Sequence, residues 1–221
     1  MPEPMKSLHN QTPAALDDPR AVEILTTEHW SLLSARTLGY QEMFGRTTIF
    51  VAVLSGAIVA LAFLAQATHF NRDTMVIALL LLSVVLFTGL ATFARCVTIN
   101  HEDARCVAGM NLLRRAYLKM VPELQQFFVP GVDPGAQRRS LGHGSPQRLA
   151  NLAASLTTAS GVVATLNSVL VGTIASDLAA LCGAGAILDA MIGLAVSIIS
   201  GALHVRYAAR FRRRHAPSQV A

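Results

Sequence analysis

The sequence predicts an all-α fold: a four-span transmembrane helical bundle, built as two antiparallel hairpins with cytoplasmic helical extensions. Three observations carry this. Runs free of Asp, Glu, Lys and Arg lie between Arg46 and Arg72, between Asp73 and Arg95, and between Arg148 and Asp177; a fourth reaches from Asp177 to Arg206, broken only by Asp189. Each is long enough for a bilayer, which needs roughly 20 apolar residues. Charged residues make up 14% of the chain, well below the roughly 25% of soluble domains. All of the 18 Lys and Arg residues except Arg72 fall on one side of those runs, the side that the positive-inside rule makes cytoplasmic.

The elements follow in chain order. Residues 1–18, with Pro2, Pro4, Asn10, Gln11 and Pro13, have the composition of a disordered tail. Asp18 and Pro19 form a cap and first-turn pair, opening a cytoplasmic helix over 19–47. Its apolar positions, among them Leu25, Leu32, Leu33 and Tyr40, share a face only loosely, so it is expected to pack against protein, with Trp30 and Tyr40 covering a seam or the lipid interface. The first span, 48–67, doubles as an uncleaved insertion signal. Ala52, Gly56 and Ala60 recur on it at the four-residue interval that lets helices approach closely in lipid.

His69, Asn71, Arg72 and Asp73 make a polar turn, which returns the second span, 74–94, antiparallel. No helix breaker follows until Pro122, so 95–129 reads as a cytoplasmic extension, ending in a kink or short new helix with Leu124, Phe127 and Phe128. Residues 130–147, rich in Gly and Pro, form a flexible linker. The second hairpin, 148–205, holds spans 149–174 and 179–203. Ala164, Ser168 and Gly172 on one, and Gly193, Ser197 and Gly201 on the other, predict close mutual packing. Residues 206–221 form a basic tail.

Few residues point to chemistry. Asp189 stands about ten positions beyond a turn expected near 178, a depth at which a carboxylate must be protonated, paired or facing water. Asn167, equidistant from that turn, is its expected partner, either as a polar clasp fixing hairpin register or as a proton or cation site. Arg206, Arg210, Arg212, Arg213 and Arg214 follow the last span directly, where they anchor the chain and contact anionic lipid. His101, Glu102 and Asp103 are adjacent and so point apart on a helix, and His143 has no ligand neighbours; neither forms a metal site. The Gly-rich linker lacks the Lys-Ser/Thr ending of a phosphate loop. Cys96, Cys106 and Cys182 read as small apolar packers without a disulfide framework. No cofactor is implied, and the net charge of +5 reflects topology rather than nucleic-acid binding.

Thr26-Thr27-Glu28-His29-Trp30 through Ser55-Gly56-Ala57, with Gly109-Met110-Asn111-Leu112-Leu113-Arg114-Arg115-Ala116-Tyr117, resembles a group of uncharacterised bacterial multi-span membrane proteins, over roughly residues 20 to 130. The resemblance implies a bacterial membrane protein and no particular catalysis. In layout, a span pair followed by a cytoplasmic helix, the chain is also similar to small two-span effector domains of bacterial conflict systems, which are thought to act as oligomeric membrane pores. The expectation is a non-enzymatic, self-associating protein of the bacterial inner membrane with both termini cytoplasmic; the alternative is an ion or proton channel or small-solute transporter that uses Asp189 and Asn167.

Overall fold

The structure is a computed structural model that describes residues 16, 18–69, 71–128 and 157–214, with side chains as far as Arg212. The predicted tail over 1–18 lies almost wholly outside the described residues. So do the linker over 130–147, the first eight residues of the predicted span 149–174, the side chains of Arg213 and Arg214, and residues 215–221.

Among the described residues the elements are helical: α1 (Ala21–Thr68), α2 (Arg72–Met120), a 3-10 turn (Pro122–Phe127), α3 (Ala159–Leu181) and α4 (Ala186–Arg214). All four α-helices contain a stretch long and apolar enough to cross a bilayer, so the chain is a multi-pass membrane protein. At 48 and 49 residues, α1 and α2 are each about 70 Å long, more than twice the hydrocarbon thickness. The predicted helix 19–47 and span 48–67 are thus one uninterrupted element. So are span 74–94 and most of its extension, because neither junction holds a Pro or Gly pair to break the ladder.

The chain packs as two compact units. The first, Met1–Leu38 with Glu102–Ser140, holds the start of α1 and the end of α2. Arg36 Nε donates to Asp103 Oδ1, the Thr26 hydroxyl lies 3.3 Å from the Tyr117 hydroxyl, and Leu32 presses on Gly109 so closely that a Cβ there would meet Leu32 Cδ1 at 2.9 Å. The Arg114 guanidinium sits 5.8 Å from the Phe128 ring centroid. The start of α1 and the end of α2 therefore pack on each other within this unit, which supplies the protein surface that helix 19–47 was expected to meet. Trp30 does not cover its seam, however, being 62% exposed.

The second unit, Gly39–His101 with Leu141–Ala221, holds the bundle. Asn71 caps α2: its Oδ1 accepts from the Thr74 amide at 2.9 Å and the Thr74 hydroxyl at 2.7 Å, while Thr68 and Thr74 share a further hydroxyl contact. His69 takes a positive φ of 54°, which closes the predicted polar turn. Phe50, Leu54 and Ala57 of α1, Leu82, Val85, Phe93 and Val97 of α2, and Val163 and Leu170 of α3 form one core. In lipid this core gains van der Waals contact rather than escape from water. Beside it, Glu42 takes a two-pronged bond from Arg95, Nε to Oε1 at 2.8 Å and Nη2 to Oε2 at 2.7 Å, and a second from Arg46. Those two arginines hold the Glu42 carboxyl down at about 2.

The second hairpin departs from expectation at its turn. Among the described residues α3 runs from Ala159, with the Thr158 hydroxyl accepting from the Gly161 amide as its cap. It then runs through Asp177 to Leu181, and the turn lies over Cys182–Gly185, not near 178. Gly183 supplies the positive φ of 83° that ends α3. Cys96 is fully buried, as expected of a small packer, but Cys182 is exposed in this turn.

Candidate functional site

The small residues singled out in the sequence set the register between α3 and α4. A Cβ on Gly172 would stand 2.0 Å from Ser197 Oγ and 2.5 Å from the Gly193 carbonyl; one on Gly193 would stand 3.0 Å from the Gly172 carbonyl; and Gly201 faces Ser168. Three successive turns are therefore in close contact, 168 against 201, 172 against 197, and 176 against 193, with the backbones themselves closest at Gly172 and Gly193.

That register separates the two residues expected to pair. Asp189 lies in the first turn of α4, only about 5 Å from its start, whereas Asn167 lies roughly 20 Å from the Leu181 end of α3. Neither Asn167 Nδ2 nor Asn167 Oδ1 has a hydrogen-bond partner, so no bond joins it to Asp189. The expectation failed because it centred the turn on the charge of Asp177, which the helix instead carries in its last turns. Asp189 is half-buried where a helix N-terminus favours negative charge, and its backbone amide donates to the Gly185 carbonyl at 3.0 Å.

Asn167 is wholly buried and turned toward α2. Its Oδ1 occupies the place of the missing Gly89 side chain, 1.9 Å from where a Cβ would be, with Phe50 of α1 closing the same spot. An oxygen in that position faces the glycine Cα hydrogen, a weak contact that recurs between closely packed helices. Asn167 thus ties the two hairpins together instead of fixing the register of one.

Charge-based span reading passed over His204, since a neutral histidine does not interrupt an apolar run. It is buried on α4, its Nδ1 2.8 Å from the Ser200 carbonyl. A carbonyl only accepts, so Nδ1 carries the proton and, in the neutral ring, Nε2 holds the lone pair. The Phe93 ring meets the imidazole edge-on at 4.6 Å, and Tyr207 stacks toward Phe211, which in turn meets His101 at 5.8 Å. Leu90, Phe93 and Ala94 of α2 with Ser200, Leu203, His204 and Tyr207 of α4 enclose an open groove of 390 Å³. A polar residue recurring with Leu203 and Tyr207 at helical spacing was the available signal for it. Arg206 flanks the groove, Arg210 and Arg212 continue α4 beyond it, and all three are exposed.

Among the described residues no three His, Cys, Asp or Glu side chains converge as metal ligands. No family model, curated protein or solved structure matches the chain.

Proposed function

We propose that the protein is a non-enzymatic, self-associating component of the bacterial inner membrane, with both termini cytoplasmic. Orientation follows from the arginine asymmetry, since Arg72 alone lies at the opposite end of the spans. The observation that carries self-association is the contrast between two sets of small residues. Those of α3 and α4 are consumed in contact with each other, whereas Ala52, Gly56 and Ala60 of α1 are exposed and nothing approaches within 4 Å of a Cβ on Gly56. A close-approach face without a neighbour among the described residues fits a second copy.

Oxidative cross-linking in native membranes tests this. Ala52→Cys in a Cys182→Ser background should give covalent dimers, because a tight crossing at Gly56 brings the two introduced thiols together. Recovery of monomer alone would contradict association through this face.

A further inference from the structure

The groove between α2 and α4 is built unlike the rest of the lipid-facing surface. Its walls, Leu90, Phe93, Ala94 and Leu203, are apolar, while at its base Ser200 Oγ and His204 Nδ1 are turned to each other and Nδ1 to the helix backbone. Ligand pockets span about 300–1,000 Å³, so 390 Å³ suits one slender apolar chain better than a bulky head. Helical spacing then fixes what stands at its mouth. Ser200, Leu203, Tyr207 and Arg210 follow one another at three- and four-residue steps, so Arg210 continues the stripe one turn beyond Tyr207. Arg206 flanks it, and both arginines are exposed.

An apolar slot that ends in cationic side chains at the limit of a membrane span matches the layout of one lipid molecule. We propose that the groove seats an acyl chain of an anionic phospholipid whose headgroup phosphate meets Arg210. A second copy is the poorer fit, since helices aligned in the same membrane direction would bring Arg206 and Arg210 of both chains to one level, where like charges repel. The inference is independent of self-association, which uses the Ala52, Gly56 and Ala60 face of α1 and none of the groove's residues.

The test uses the full chain in nanodiscs containing phosphatidylglycerol or phosphatidylcholine that bears a diazirine on its acyl chain, with adducts mapped by peptide mass spectrometry after photolysis. The wild type should concentrate adducts on Leu90–Ala94 and Ser200–Tyr207, with about a fivefold preference for phosphatidylglycerol, the worth of one arginine beside an anionic head. Arg210→Gln should reduce labelling by phosphatidylglycerol to that by phosphatidylcholine, and Leu203→Trp, which fills the slot, should abolish both while thermal unfolding stays cooperative. Adducts spread evenly over exposed apolar residues such as Phe63 and Ile187, equal labelling by the two lipids, or cross-linking of the groove to a second chain would overturn the proposal.

Discussion

Asn167 Oδ1 lies 1.9 Å from the point that a Cβ on Gly89 would occupy, which makes a buried amide and an absent side chain a single packing unit. The pair joins α3 to α2, and Phe50 of α1 stands within 2.9 Å of the same point, so three helices depend on it. Gly89→Ala must displace both neighbours, and overpacking of this kind costs about 1–3 kcal/mol. Asn167→Ala vacates the space that the new methyl needs. In thermal or steric-trap unfolding, the double variant should therefore be more stable than Gly89→Ala alone; additive losses would show that the two sites do not share one space.

The α3–α4 contact makes a graded prediction. Gly172→Ala meets both a hydroxyl and the Gly193 carbonyl, and a backbone atom cannot rotate away. Gly45→Ala meets nothing within 4 Å and, on a helix, gains propensity. The first should destabilise the hairpin and the second should leave it unchanged or stabilise it, as read by melting in nanodiscs. Equal tolerance at both positions would argue against the register of 172 with 193 and 197.

Glu42 sets a pH dependence. Its carboxyl is held at about 2 in the fold, against 4.5 when free, first by the bond from Arg95 and then by that from Arg46. A depressed carboxylate stabilises the fold fully above its unfolded value and loses that contribution as pH falls toward the folded value. The difference in melting temperature between wild type and Glu42→Gln should thus be constant above about pH 5 and shrink between 4.5 and 2. A difference that does not change over this window would show that the arginines do not hold the carboxylate.

Asp189 gives the opposite expectation from the one its sequence context invites. Placed in the first turn of α4 and not deep in a span, with Oδ1 buried and without a hydrogen-bond partner among the described residues, it should tolerate Asp189→Asn without loss of stability, because a neutral amide costs less to bury than a carboxylate. A loss approaching that of Gly89→Ala would place the carboxylate in the bundle core.

What the sequence made legible, and what it hid, follows from the range over which each cue acts. Charge-free runs located all four apolar helices, and the polar cluster from His69 to Asp73 located the first turn, because both are local properties of the chain. The small-residue spacings on α3 and α4 anticipated their close contact, since a four-residue repeat is itself a helix face. The second turn was misplaced because Asp177 was read as a boundary, whereas Gly183 and Gly185, the residues able to break the helix, come later. That shift of a few residues moved Asp189 by two turns and dissolved its pairing with Asn167. The true neighbour of Asn167 is Gly89, nearly eighty residues away in the other hairpin, and no periodicity records such a pair. His204 was hidden because span reading counts charge and not hydrogen-bonding capacity.

The central claim is that copies meet through the open small-residue face of α1, and oligomeric mass in nanodiscs tests it most directly. The wild type should show a mass above the monomer, and Gly56→Leu, which fills a space that none of the described residues occupies, should reduce it to the monomer with melting unchanged. A monomeric wild type, or an oligomer indifferent to Gly56→Leu, would contradict the account.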